Sequence, residues 1–121
     1  MSKSVLKDKS YTFALRIVNL YKHLTTEQRE YVLSKQVLRS GTAIGALVRE
    51  AEFGQSTADF AHKLSIALKE ANGTDYWLSL LKDSHYITPK MHDSLTPDIS
   101  ELLRLLVASV KTAKKAVASE K

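Results

Sequence analysis

Apolar residues recur in alternating steps of four and three through three long segments of this chain. Leu33, Val37, Ser40, Ile44, Leu47 and Ala51 form one stripe, and Phe60, Leu64, Ala67, Ala71, Thr74, Leu78 and Leu81 form a second. Ile99, Leu103, Leu106, Val110, Ala113 and Val117 form a third. A period of 3.5 residues keeps one face of a slightly underwound helix turned towards its neighbours, which predicts left-handed, coiled-coil-like packing at interaxial angles of about 20°. A fourth stripe, Phe13, Ile17, Leu20 and Leu24, lies nearer the N-terminus, widened by Ala14, Val18 and Tyr21. No segment reads convincingly as a strand. The expected class is all-α, an antiparallel up-down four-helix bundle with long helices.

Capping chemistry sets the expected boundaries. The first helix is placed at 10–24. Thr25-Thr26-Glu27-Gln28 reads as a capping box, so the second is placed at 27–53, stopped by Gly54. Ser56-Thr57-Ala58-Asp59 supplies the next N-cap, for a third helix at 57–83. Thr96-Pro97 has the form of a cap followed by proline at the first helical position, which predicts a fourth helix at 97–117. Thr88-Pro89 repeats the signal earlier and predicts a short helical turn at 89–95.

A chain of 121 residues with 44% hydrophobic content is long and apolar enough for one domain, 1–121, with a core of its own. It has no cysteine, no apolar leader at its start and no apolar run long enough to span a bilayer, so a cytoplasmic protein is expected, with no membrane role. The net charge of +5 is unevenly spread. Nine basic and three acidic residues give +6 over 1–49, four and nine give −5 over 50–103, and five and one give +4 over 104–121. Such a field attracts a polyanion to one face, or lets unlike faces of identical subunits meet.

Within the second stripe, Arg39-Ser40-Gly41-Thr42-Ala43-Ile44-Gly45-Ala46 carries two glycines, each costing a helix interior about 1 kcal/mol relative to alanine. Glycines four residues apart on a helix face imply a neighbouring helix packed very close. No glycine-rich phosphate loop is present.

These residues carry a resemblance. Gln36-x-x-Arg39-Ser40-Gly41-Thr42-x-Ile44-Gly45-Ala46, the Glu50-Ala51 pair, Gln55-Ser56-x-Ala58-Asp59-Phe60, and Leu64 to Asn72 running into Tyr76-Trp77-Leu78 resemble the small bacterial four-helix-bundle proteins of intervening sequences in 23S ribosomal RNA genes. The resemblance runs from about Tyr11 to Ile87. It implies assembly as a homopentamer and kinship with the accessory proteins of diversity-generating retroelements, which bind nucleic acid and a reverse transcriptase. It supplies no enzymatic activity. Two positions depart from the family pattern: Leu47 stands where an asparagine is usual, and Gly73 where a glutamate is usual. Either a ligand site of the relatives is damaged here, or the two polar groups pair across helices and their joint loss is nearly neutral, which is the simpler account.

Lys35, Arg39 and Arg49 fall within about 80° of one another on the second helix, opposite its apolar stripe. They read as phosphate contacts, which Lys111, Lys114 and Lys115 on the fourth helix would extend, or as a solvated face with salt bridges to carboxylates such as Glu50, Glu52 and Asp59. In a ring of five, each basic group recurs five times and modest patches add up. Tyr76 and Trp77 are adjacent, so one of them faces another helix or subunit, and interface packing is favoured over stacking on a base.

Catalytic signals are weak. Asp59-x-x-His62 has ligand spacing, but a bundle di-metal site needs a second such motif and two more inward carboxylates, so no metal or cofactor is expected. His23, His85 and His92 have no visible nucleophile partner, and salt bridges account for Glu50, Glu70 and Asp75. The expected function is non-enzymatic binding of nucleic acid, RNA or structured DNA, through repeated basic faces. The alternative is a scaffold that docks a protein such as a reverse transcriptase.

Overall fold

The computed structural model describes residues 2–120, with side chains from Val5 onward. It is a four-helix bundle of α1 (Ser2–Thr26), α2 (Leu33–Glu52), α3 (Thr57–Asp83) and α4 (Pro89–Ser119), with no strand among the described residues. Phe13 and Ile17 of α1, Ile44 of α2, Leu78 of α3, and Ile99 and Leu106 of α4 are at most 1% exposed and meet in one continuous core.

Cross-helix pairs set the direction of each helix. Lys7 bonds Glu52, while Gly41 lies against Ile17 and Gly45 against Ser10, so numbers fall on α2 as they rise on α1. Arg39 bonds Glu70 and Glu50 bonds Lys63, which reverses α3 against α2. Lys9 with Glu101 and Arg16 with Asp98 reverse α4 against α1. Helices α1–α2, α2–α3, α3–α4 and α4–α1 touch, whereas α1–α3 and α2–α4 have no Cα atoms within 8 Å, so the latter pairs lie on the diagonals.

Three boundaries differ from the sequence expectation, each for a physical reason. The first helix extends far upstream of residue 10 because Leu6 continues the stripe of Ser10, Phe13, Ile17, Leu20 and Leu24 at the same spacing and is itself buried. Ser10 does not cap. Its hydroxyl donates to the Lys7 carbonyl within the helix, and its small side chain lets α2 approach at Gly45.

The second helix begins at Leu33, not at 27, and the capping box does not form. Thr25 and Thr26 instead donate back to the carbonyls of Tyr21 and Lys22, inside α1. The cap is Glu30. Its carboxylate accepts from the amides of Val32 at 3.1 Å, Leu33 at 2.9 Å and Ser34 at 2.7 Å, and the Ser34 hydroxyl donates to the Glu30 carbonyl. Arg29, at φ 52°, turns the chain so that this carboxylate comes under the helix start.

The third difference is α4, one helix from Pro89 with Pro97 inside it, in place of a turn at 89–95 followed by a helix at 97–117. Thr88 does cap, accepting from the Met91 amide, but Thr96 donates to the His92 carbonyl as a residue within a helix. Proline withdraws the amide that would meet the Asp93 carbonyl. Arg16 of α1 bridges that turn, with Nη1 on the Ser94 carbonyl at 3.0 Å and on Asp98 at 2.7 Å, and Nη2 on the Ser94 hydroxyl at 2.6 Å. Leu95 and Ile99 are buried on either side of the proline and hold the helix against the core.

By contrast, α3 starts at Thr57 with the Ser56 hydroxyl accepting from the Asp59 amide. Core positions also shift by one at four places. Ser34, Val48, Ala61 and Leu102 are buried, while Leu33, Leu47, Phe60 and Leu103 pack at the edge of the core.

Candidate functional site

The outward face of α2 is set by what its other side buries. Val37, Ser40, Gly41, Ile44, Val48 and Ala51 turn inward, which leaves Lys35, Arg39 and Arg49 exposed on the opposite side. The three are not equivalent. Arg39 donates to Glu70 of α3 at 3.0 Å in an ion pair whose arginine side is 60% exposed. Lys35 and Arg49 have no carboxylate within 4 Å among the described residues.

Arg49 also borders a groove of about 740 Å³ between α1 and α2 that reaches the start of α3. Its floor is made of small side chains, Ala14, Thr42, Gly45 and Ala46, and its walls include Tyr11 and Phe53, which are 57% and 79% exposed. Lys63 and Glu50 pair at its edge, as do Lys7 and Glu52. Arg49 thus lies at an aromatic-walled groove with no ion pair among the described residues.

Lys111, Lys114 and Lys115 are exposed on α4, again with no carboxylate within 4 Å among the described residues. They do not extend the α2 stripe. Because α2 and α4 lie on a diagonal, their outward faces point to opposite sides of the bundle, and the subunit carries two separate basic surfaces. Arg104, which the sequence reading passed over, belongs to the second. It is exposed, forms no ion pair among the described residues, and lies within about 40° of Lys111 and Lys115 on the helix. Its seven-residue spacing to Lys111 was the available signal.

The aromatic pair divides. Trp77 is half-buried against the core, whereas Tyr76 is 60% exposed, and the two rings meet edge to face with centroids 5.2 Å apart. Asp59 accepts from the Gln55 amide at the start of α3 and His62 is exposed, so this pair does not converge. Among the described residues, no group of three or more His, Asp or Glu side chains is gathered to hold a metal ion. Within the same residues, no helix is long and apolar enough to cross a membrane.

A family model described as 23S rRNA-intervening sequence protein matches residues 2–108. The chain belongs to this family. The fold of this 23S rRNA-intervening sequence family member is also that of a crystal structure from Bacteroides thetaiotaomicron VPI-5482. That protein is described as of unknown function and from the S23 ribosomal protein family. The two sequences are 58% identical and the structures superpose with a TM-score of 0.90, over 92% of this chain and 99% of that one. No curated protein matches the chain.

The two departures from the family pattern lie apart. Arg39 meets Glu70, and Ser40 meets Thr74 at 3.0 Å, which puts Gly73 level with the start of that contact. Leu47 stands about eight residues further along α2, or about 12 Å down the axis, near the turn where Glu50 meets Lys63. Within one subunit, polar side chains at 47 and 73 would not reach each other.

Proposed function

We propose that this protein is a non-enzymatic, oligomeric bundle of the cytoplasm that binds nucleic acid, RNA or structured DNA, through repeated basic faces. The observation that carries the reading is the set of cations that form no ion pair among the described residues, Lys35 and Arg49 on α2 with Lys111, Lys114 and Lys115 on α4. A solvated face laced with salt bridges would have carboxylates beside these groups, as Arg39 has in Glu70. Five copies per particle, as the family resemblance implies, would multiply each face by five. The family's description ties its members to ribosomal RNA genes, consistent with a polyanionic partner.

The test is binding to labelled RNA and duplex DNA over a salt series, with particle mass measured in the same buffers. Affinity is expected to fall linearly on a log–log plot, with a slope of about −0.9 for each duplex phosphate neutralised. Lys35→Glu with Arg49→Glu should make that slope shallower while the mass stays unchanged. An intact oligomer that binds neither polymer at low salt overturns the proposal.

A second reading is favoured by the groove beside Arg49. Exposed Tyr11 and Phe53 over a floor of small residues suit insertion of another protein's side chains, such as those of a reverse transcriptase, and make the bundle a docking scaffold. Phe53→Ala would then abolish capture of that partner and leave nucleic-acid affinity unchanged.

A further inference from the structure

Three of the four glycines have a reason in the fold. A Cβ on Gly41 would come within 2.8 Å of Ile17 Cγ1, one on Gly45 within 3.3 Å of the Ser10 carbonyl oxygen, and one on Gly54 within 3.1 Å of the Ala51 carbonyl oxygen. Gly73 has none. It sits in the middle of α3 with ordinary negative φ, and a Cβ there would meet nothing within 4 Å. The subunit thus carries a helix-weakening residue that neither packing nor backbone geometry requires, and it leaves a bare notch on the surface.

The surroundings of the notch share one chemistry. Tyr76 follows Gly73 by three residues and Lys69 precedes it by four, so both are its neighbours on the helix surface. Side chains on a helix lean towards its N-terminus, which inclines the Tyr76 ring over the turn containing Gly73. The ring is 60% exposed and is steadied from one side by Trp77. Across the seam, the Arg39–Glu70 and Ser40–Thr74 contacts bring α2 alongside, and Lys35 lies one turn from Arg39, level with Trp77. Lys35 and Lys69 are exposed and form no ion pair among the described residues, and Glu70, three residues before Gly73, is already bonded to Arg39.

We propose that the Gly73 notch receives a single nucleic-acid base, stacked on Tyr76, with Lys35 and Lys69 holding the flanking phosphates. The site selects single-stranded over duplex nucleic acid, because a base inside a duplex presents only its edge and cannot lie on the ring. A steadied aromatic beside free cations, with a bare backbone in front of it, is the arrangement by which single strands are held without sequence readout. This inference rests on the nucleic-acid reading above and adds which form of nucleic acid is bound and where.

The experiment compares the full-length oligomer and three variants for binding to labelled oligothymidine, oligouridine and a duplex of the same length. Tyr76→Ala should weaken both single strands about tenfold or more, leave the salt slope unchanged because no phosphate contact is lost, and leave duplex affinity as it was. Tyr76→Phe should keep wild-type affinity. Gly73→Gln, which fills the notch without adding charge, should raise Tm and yet weaken single-strand binding about tenfold. Losses for both oligothymidine and oligouridine assign the contact to the stacked base. Duplex binding that persists while Tyr76→Ala and Gly73→Gln bind single strands like wild type overturns this inference alone. A change of particle mass in either variant also overturns it, by placing the notch in a subunit contact. Failure of every polymer to bind removes the general reading and this one together.

Discussion

Glu30 shows how much one side chain decides at the residue scale. Burial by itself would raise its pKa, but the amides of Leu33, Ser34 and Val32, with help from the Ser34 hydroxyl, hold the carboxyl below its ordinary value. A folded-state pKa below the unfolded one means that the ionised form stabilises the fold fully above the unfolded value, and that this contribution is lost as pH falls through the folded one. Glu30→Gln should therefore lower stability at neutral pH by about 1–2 kcal/mol and flatten the acid limb of a Tm-against-pH curve. An acid limb unchanged from wild type would remove Glu30 as its source. The cap was not legible in the sequence, since it acts from outside the helix across a turn made by Arg29 at positive φ, whereas Thr25 to Gln28 offered a local pattern. The glycines were legible in kind but not in partner. Gly41→Ala should destabilise by about 1–3 kcal/mol, because Ile17 is packed on both sides and cannot yield. Gly73→Ala should stabilise by up to about 1 kcal/mol, and thermal melts of the two variants would show the opposite signs.

At the scale of elements, α3 and α4 differ in what a local signal could reveal. Ser56 and Asp59 lie within one turn, and the cap they predicted is the one that forms. Thr96-Pro97 is an equally good local signal and misleads, because Arg16, some eighty positions away in sequence, supplies the bonds that carry α4 through the proline. Propensity lost to tertiary contact. Pro97→Ala should restore an amide to the Asp93 carbonyl and raise stability by about 1–3 kcal/mol, with slower amide exchange in the turn before residue 97. Exchange as fast as in wild type would mean that the turn was already closed. Helix α1 makes a related point. Its first two turns were hidden because Lys7, Asp8 and Lys9 interrupt the hydrophobicity between Leu6 and Ser10, although the spacing of the buried positions is unbroken.

For the whole molecule, the balance of charge along the chain was legible in the sequence, but the side on which each charge falls was not. That depends on the cyclic order of the helices, in which α2 and α4 are diagonal. The expectation of one enlarged basic patch becomes two opposed ones. Reversing Lys111, Lys114 and Lys115 to glutamate should leave intact whatever phosphate contacts Lys35 and Arg49 make, and the converse should also hold. Salt slopes of the two sets of variants should add up to the loss seen when both are combined, and a combined loss equal to either alone would mean a single shared surface.

Under the proposed nucleic-acid binding, opposed cationic faces would also make each subunit a linker. A body that grips a polymer on two sides joins separate chains into a network, so mixtures near charge balance should become turbid, while excess of either component should clear them. The diagonal placement of two helices thus becomes a matter of phase behaviour, visible in a cuvette before any complex is solved.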